Sequence, residues 1–295
     1  MTRPGELPYP ERTPRVAAAR RLTRRAGRTE AGLFLAEGPQ AVREAVGWTG
    51  GPPGLAGPGP AVVELLGTPA ALERYADLVR AAERRGVPVL AVTERGMAGL
   101  SETVTPQGLV AVCRFVDVPL RTALRPAPRL VVLLAAIRDP GNAGTVLRTA
   151  DAAGAGAVLF SAESVDPYNG KCVRASAGSL FHLPVVRGVD VPAAVPALRA
   201  AGLAVLAAAG DGETDLEELA DAGGLARPVA WLFGNEAHGL PAGLAGLADA
   251  RVRIPLHGRA ESLNLAAAAA ICLYATARAQ RADRHRQPDG QHTPG

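Results

Sequence analysis

Residues 130–154, LVVLLAAIRDPGNAGTVLRTADAAG, join an apolar run to a helix-forming segment through a short polar turn. The apolar run at 130–137 shows no alternation with polar residues, which is typical of a strand buried on both faces of a parallel sheet. Pro140-Gly141 indicates a turn, and Asn142 belongs to the residue types that cap helices. We therefore predict a strand, a loop at its carboxyl end, and a helix that Asn142 caps.

Apolar runs of the same kind recur toward the C-terminus. They lie at 157–160, 183–186, 203–209, 229–234 and 252–256, with helical segments near 143–153, 171–180, 192–201 and 214–221. Apolar strands that alternate with helices predict an α/β domain with a parallel sheet and helices on both faces. A last helix, at about 264–280, is apolar on nearly every side and must be buried against the sheet or a partner chain.

The part of the chain before this domain predicts a second, smaller α/β domain. Its apolar runs, such as 61–67, 87–92 and 108–115, flank an amphipathic helix at 69–86. The predicted division of the chain is a basic flexible arm at 1–30, the smaller domain at 31–116, a proline-rich linker at 117–128, the parallel-sheet domain at 129–281 and a disordered tail at 282–295.

Composition restricts the classes of protein that this chain can belong to. Its 295 residues are 48% hydrophobic, which is enough for a core and excludes wholesale disorder. No apolar run reaches the ~18 residues of a membrane span. The first residues lack the apolar segment of a secretory signal. Three widely separated cysteines exclude a disulfide scaffold and a zinc knuckle, so we expect a cytoplasmic protein without a metal.

Positive charge is concentrated at the start of the chain. The net charge is only +4, yet residues 1–30 hold eight arginines against three glutamates. Abundant Ala, Gly, Pro and Arg are typical of a biased nucleotide composition, which explains the pattern without any function. Arginine-rich segments nevertheless bind phosphates whatever caused the bias.

Polar residues follow three of the predicted strands, at the sheet edge where open parallel sheets bind ligands. In the first loop, Thr145 and Arg148 are three residues apart and share a helix face suited to an anion. The second loop is LFGNEAHGL at 232–240, where Gly234 permits close approach of a flat ligand. The third is IPLHGRAESLN at 254–264. Each loop alone also has a purely structural explanation, as a turn or a helix cap.

The three loops together are far more specific than each alone. Their motifs are N-x-G-x-x-x-R-x-A from Asn142 to Ala150, G-x-E-x-x-G-L from Gly234 to Leu240, and I-P…S-L-N from Ile254 to Asn264. In this order and spacing they resemble the SpoU/TrmH group of the SPOUT superfamily, S-adenosylmethionine-dependent RNA 2′-O-ribose methyltransferases. The stretch FLAEGPQAVREA at 34–45 resembles the RNA-binding domain, related to small ribosomal proteins, that precedes many of these enzymes.

The resemblance implies a C-terminal parallel-sheet SPOUT domain with a trefoil knot, a homodimer with shared active sites, and no need for a metal. S-adenosyl-L-methionine would be held by backbone around Gly234, Ile254 and Leu263. It also implies that ribosomal RNA is a better substrate than transfer RNA, because the additional N-terminal domain is typical of the ribosomal enzymes.

The resemblance also assigns the reacting residues. Arg148 is the motif residue that acts on the ribose hydroxyl, but a guanidinium holds its proton too tightly to be a good base. We therefore expect Arg148 to bind the phosphate beside the target ribose and to lower the pKa of the hydroxyl. Asn142 would hold the ribose or phosphate, Glu236 would orient Arg148 or Asn142, and Ser262 and Asn264 would complete the pocket.

Two other functions compete with this hypothesis. A catalytically idle RNA-binding factor on the same fold would have no need for all five of these polar residues. An unrelated nucleotide-binding enzyme is disfavoured because the chain has neither a P-loop nor a G-x-G-x-x-G motif after a strand.

Overall fold

The computed structural model describes residues 8–50, 60–103 and 105–286. They form two compact units whose segments interleave along the chain. The first unit contains the described residues up to Val118, together with Asp139–Arg148 and Val165–Val185; the second contains Pro119–Arg138, Thr149–Ser164 and the described residues from Val186 onward.

Helices and strands follow one another along the described chain. Up to residue 124 they are α1 (Pro14–Arg21), α2 (Arg25–Ala31), β1 (Leu33–Glu37), α3 (Pro39–Gly47), β2 (Val62–Gly67), α4 (Pro69–Arg74), α5 (Ala76–Arg84), β3 (Val89–Ala91), α6 (Glu94–Ala98), β4 (Leu109–Arg114) and α7 (Leu120–Leu124). Then follow β5 (Leu130–Leu134), α8 (Pro140–Ala153), β6 (Ala157–Ser161), α9 (Gly170–Ala175), a 3₁₀ turn (Ser179–Phe181), β7 (Val185–Val189), α10 (Val191–Ala200), β8 (Ala204–Ala208), β9 (Thr214–Asp215), α11 (Leu216–Asp221), β10 (Val229–Phe233), α12 (Ala242–Ala245), β11 (Ala250–Arg253) and α13 (Leu265–Arg286).

The first unit contains a four-stranded mixed sheet in the order β1-β4-β2-β3. Strand β4 is antiparallel to both β1 and β2, whereas β3 is parallel to β2. Helix α1 packs on this sheet through three apolar side chains spaced three residues apart, Val16, Ala19 and Leu22. The hydrophobic core of this unit therefore includes residues from the N-terminal segment.

The prediction of a flexible arm at 1–30 is wrong from residue 14 onward, because α1, a short turn and α2 occupy that part of the chain. Pro14 stands in the first turn of α1, where its missing N–H costs nothing. The buried side chains of Val16, Ala19 and Leu22 stabilise α1 although the helix carries several arginines. Tertiary packing of this kind supplies most of the stability of short helices. Residues 1–7 lie outside the described residues.

The second unit contains a seven-stranded sheet in the order β7-β6-β5-β10-β8-β11-β9. The six strands from β6 to β9 in this order are all parallel, as the sequence predicts. Strand β10 enters between β5 and β8, so the strand order reverses there. The loops after β5 and β10 leave the sheet side by side at its carboxyl edge, the position where open parallel sheets bind ligands.

Helix α13 covers part of this sheet. The Nε1 of Trp231 on β10 donates to the Oγ1 of Thr276 at 2.9 Å, and the Nε2 of Gln280 donates to two backbone carbonyls, those of Arg129 and Arg227. Residues 282–286 of the predicted tail belong to this helix, while residues 287–295 lie outside the described part. The predicted linker likewise contains a helix, α7. The trefoil knot stays a prediction.

Candidate active site

The backbone after β5 takes an unusual conformation that neighbouring side chains hold in place. Ala136 has a φ of 54°, in the left-handed region that costs an L-residue about 1–2 kcal/mol. Its N–H donates to the Oγ of Ser161 at 3.0 Å, and its carbonyl accepts from the Nδ2 of Asn235 at 2.8 Å. The next amide, that of Ile137, donates to the Oγ of Ser164. Strain of this kind is concentrated at functional sites.

The loop after β10 folds back on itself. The backbone groups of Asn235 and Gly239 exchange hydrogen bonds of 2.9 and 2.8 Å. A Cβ atom at Gly234 would lie 2.4 Å from the carbonyl carbon of Gly239, so the loop itself requires this glycine. The Oε2 of Glu236 accepts from the backbone N–H of Arg138 at 3.2 Å, which connects this loop to the one after β5. These two loops therefore form one preorganised edge.

The third loop, residues 254–264 after β11, has no regular secondary structure and is mostly exposed. Two of its apolar side chains face solvent, Leu256 at 41% and Leu263 at 37% exposure. Ser262 is also exposed, and Ile254 is half-buried. Exposed leucines beside polar groups suit a ligand with an aromatic ring and a polar rim.

Asn264 caps helix α13. Its Oδ1 accepts from the backbone N–H groups of Ala266 at 2.8 Å and Ala267 at 3.4 Å. Asn264 is therefore a helix cap, since its amide oxygen satisfies the free backbone donors of the first turn. Its role in the pocket stays a prediction.

Helix α8 begins at Pro140, and its cap is Asp139 rather than Asn142. The Oδ1 of Asp139 accepts from the backbone N–H of Asn142 at 2.8 Å. The prediction that Asn142 caps this helix is wrong because Pro140 already fits the first helical position. Asn142 therefore lies inside the first turn.

One face of α8 carries the predicted catalytic residues. Asn142, Thr145 and Arg148 are three residues apart; Asn142 is half-buried and the other two are exposed. The opposite face is buried, and Gly144 packs so closely on α9 that a Cβ atom there would lie 2.4 Å from the carbonyl oxygen of Cys172. Within the described residues the side chain of Arg148 has no hydrogen-bond or ion-pair partner. Its guanidinium is therefore available to an anion.

Lys171, which the sequence pattern does not single out, lies on α9 with its side chain against the start of α8. The Nζ of Lys171 is 2.7 Å from the Oδ2 of Asp139, and a Cβ atom at Gly141 would touch the lysine side chain. The hydrogen bond from Lys171 holds the pKa of the Asp139 carboxyl below its usual value. The sequence offers one signal that could have pointed to Lys171, because it is the sole lysine of the chain.

The predicted site residues thus fall into two groups. Asn142 and Arg148 share one face of α8 in the first unit. The others belong to the second unit, on loops that follow its parallel strands: Gly234, Glu236, Ile254, Ser262, Leu263 and Asn264. That Glu236 orients Arg148 or Asn142 stays a prediction.

The described residues contain neither a metal-binding cluster nor a membrane-spanning helix. Within residues 8–50, 60–103 and 105–286, no group of three or more His, Cys, Asp or Glu side chains could hold a metal ion. No helix of that part is long and apolar enough to cross a membrane. All three cysteines are buried, and burial raises the pKa of each thiol, that of Cys272 to about 12. Protonated thiols in the core are inert.

Comparison with known proteins identifies both halves of the chain. The model of the SpoU rRNA Methylase family matches residues 129–274. The model of the MRM3-like substrate binding domain matches residues 13–111.

Similar proteins cover nearly the whole chain. The 23S rRNA (guanosine(2553)-2′-O)-methyltransferase RlmP of Bacillus subtilis is 36% identical over 247 residues, which are 84% of this chain and 89% of the relative. The AdoMet-bound rRNA methyltransferase of Sinorhizobium meliloti superposes with a TM-score of 0.75 at 34% identity, covering 90% of this chain and 95% of that one.

A third relative is the SpoU methyltransferase AviRb of Streptomyces viridochromogenes in complex with AdoMet. Its TM-score is 0.76 at 31% identity, and the match covers 92% of this chain and 99% of that one. These comparisons confirm the resemblance that the three loop motifs indicate and the predicted α/β architecture. The chain belongs to the SpoU rRNA methylase family.

Proposed function

We propose that this chain transfers a methyl group from S-adenosylmethionine to a ribose 2′-hydroxyl of large-subunit ribosomal RNA. The observation that carries the proposal is the exposed, partner-free guanidinium of Arg148 on the same face of α8 as Asn142. Named relatives at 30–40% identity methylate ribose 2′-oxygens of 23S rRNA, which supports the substrate class.

The residues of the second unit fit this cofactor. Exposed Leu256 and Leu263 offer apolar contact to an adenine ring, and backbone at the ends of β10 and β11 offers hydrogen bonds around Gly234 and Ile254. The cofactor supplies a methyl group bonded to a positively charged sulfur. Its departing thioether is neutral, so the reaction requires no metal to stabilise a leaving group.

The chain's own residues position and activate the hydroxyl. The guanidinium of Arg148 carries a positive charge, so it binds the phosphate beside the ribose and stabilises the oxygen as its proton passes to solvent. Asn142, one turn earlier, holds the ribose or phosphate. Glu236, Ser262 and Asn264 complete the pocket. Correct positioning of the two reactants can lower the barrier by about 7–11 kcal/mol.

The domains divide this work. Residues 31–116 bind the RNA substrate, 117–128 connect the domains, and 129–281 carry the methyltransferase site. The predicted compartment is the cytoplasm, where free cysteines remain reduced.

The active form is a homodimer. Helix α13 exposes two large apolar side chains, Ile271 at 42% and Tyr274 at 48%. Because exposed apolar residues on a largely apolar helix favour association, we expect a second copy of this chain to pack on α13. Sedimentation velocity should give twice the monomer mass, and Ile271→Asp with Tyr274→Asp should give monomers. A wild-type monomer at micromolar concentration would contradict this.

The test of function uses tritiated S-adenosylmethionine with total ribosomal RNA from a host that lacks the gene, and transfer RNA in parallel. We expect label in the large ribosomal RNA that survives alkali as a dinucleotide, because a 2′-O-methyl group blocks cleavage of the next phosphodiester. Label in transfer RNA alone would contradict the assignment of ribosomal RNA as the substrate. No label in either RNA, with the cofactor bound, would favour an idle RNA-binding factor.

A further inference from the structure

The corner between α1 and α2 holds an unusual concentration of unpaired positive charge. Arg20, Arg21, Arg24 and Arg25 lie within six residues, and all four are exposed. Within the described part of the chain, none of them has an ion-pair or hydrogen-bond partner for its side chain. Four unpaired guanidinium groups this close repel one another, so the corner gains stability when an anion binds there.

Three of these arginines line one groove. Arg20, Arg21 and Arg24 border it together with Gly27, Gly99 and one acidic residue, Glu30. Gly99 leaves room for the aliphatic part of Arg20, because a Cβ atom there would lie 3.4 Å from the Cδ of that arginine. The groove keeps an excess of positive charge despite Glu30. A polyanion fits this surface better than an apolar ligand does.

A buried arginine fixes the shape of the corner. Arg28 is 2% exposed, and its Nη1 donates to the carbonyls of Leu22 and Thr23 at 3.1 Å each. Its Nε and Nη2 bind the Oδ2 of Asp166 at 2.9 and 2.8 Å. The guanidinium therefore satisfies the carbonyls at the end of α1. Close approach of the two helices depends on Gly27, where a Cβ atom would lie 2.2 Å from the carbonyl oxygen of Arg21.

The same contacts connect the corner to the catalytic helix within the first unit. Asp166, which holds Arg28, is five residues before Lys171, which holds the cap of α8 through Asp139. The segment between them is fixed as well, since the Oδ1 of Asp166 accepts from the backbone N–H of Tyr168 and the Oδ1 of Asn169 accepts from that of Lys171. RNA bound at the corner is thus held at a set distance from the α8 face that carries Arg148.

We propose that Arg20, Arg21 and Arg24 form a rigid clamp for successive phosphates of the RNA backbone. The clamp rests on the proposed function, because it binds the RNA that this chain methylates. Planar guanidinium groups bind phosphate oxygens in pairs, and contacts to phosphates carry no sequence information, so the clamp supplies affinity and position rather than sequence specificity.

The test compares two triple variants of the full chain. Arg20→Gln, Arg21→Gln and Arg24→Gln remove the clamp. Arg121→Gln, Arg125→Gln and Arg227→Gln remove the same net charge from exposed positions in the linker and just before β10, outside the domain that binds RNA. Binding of fluorescein-labelled single-stranded RNA and of 23S ribosomal RNA is measured in KCl from about 50 to about 300 mM, with the protein at about micromolar concentration. Thermal melting checks that both variants fold.

We expect the slope of log affinity against log salt to fall in magnitude by about 2–3 in the clamp variant, at roughly 0.7–0.9 per phosphate contact. The KM for RNA should rise on the order of tenfold, with kcat at saturating RNA and cofactor affinity within about twofold of wild type. A third variant with lysine at the three positions keeps the charge and should retain most of the slope.

Equal slopes for the clamp variant and the control variant would overturn the clamp, because net charge alone would then explain RNA binding. This result is distinct from a failure of the proposed function. If the proposed function failed, the wild-type protein would methylate no RNA, while the salt dependence of its RNA binding would still test the clamp.

Discussion

Arg28 and Arg148 carry the same side chain in opposite surroundings. Arg28 is 2% exposed and binds both the Asp166 carboxylate and two backbone carbonyls. Arg148 is exposed and has no side-chain partner within the described residues. Arginine therefore serves this chain in two ways. Buried, paired arginines hold the framework, and exposed, unpaired ones remain available for a polyanion.

The largest effect on stability is expected at the buried pair. Asp166→Ala leaves the guanidinium of Arg28 buried without its carboxylate, and breaking such a pair costs about 3–5 kcal/mol. Urea unfolding should show this loss. A loss under about 1 kcal/mol would contradict this role, because Arg28 would then not depend on its carboxylate partner.

A half-buried arginine should show an intermediate effect. The Nη1 of Arg174 donates to the Oε2 of Glu37 at 2.8 Å, while the hydroxyls of Ser101 and Thr103 donate to the other oxygen. Arg174→Ala removes one donor from a carboxylate that keeps two, so we expect a loss of about 1–3 kcal/mol. Differential scanning calorimetry checks it, and Asp77→Asn, which breaks the exposed Arg43–Asp77 pair, is the control with almost no effect.

The smallest effect is expected at the exposed pair that caps α8. Asp139→Asn keeps a capping oxygen but removes the charge facing Lys171, and exposed ion pairs contribute only about 0.2–1 kcal/mol. Folding lowers the pKa of Asp139, so the pair stabilises the protein at neutral pH, and this contribution is lost as the pH falls through the lowered pKa. Stability measured from pH 7 to pH 2 should converge for wild type and variant at the acid end. Parallel curves would show that Asp139 has no such role.

The strands and the three loop motifs could be predicted because local pattern determines them. Uninterrupted apolar runs identify β5, β6, β8 and β10, and short polar loops follow β5 and β10. The two-residue strand β9 is too short to leave a pattern. Asp139 was predictable in principle, since aspartate before proline is typical of a helix start.

The buried position of Arg28 could not be predicted, because its partner is distant in sequence. Arg28 and Asp166 are 138 positions apart, and no spacing rule joins them. The N-terminal helices were missed for a related reason. Their arginines dominate the composition, while Val16, Ala19 and Leu22 form helix only by packing on a sheet that comes later in the chain.

The most direct test of the account measures methyl transfer to 23S ribosomal RNA by Arg148→Ala at saturating RNA and cofactor, on protein whose melting temperature and cofactor affinity are known. We predict a fall of more than ~100-fold, about 2.7 kcal/mol, with the melting temperature and the affinity for S-adenosylmethionine near those of wild type. Activity within tenfold of wild type would contradict the account, because an exposed, unpaired Arg148 would then have no part in the reaction.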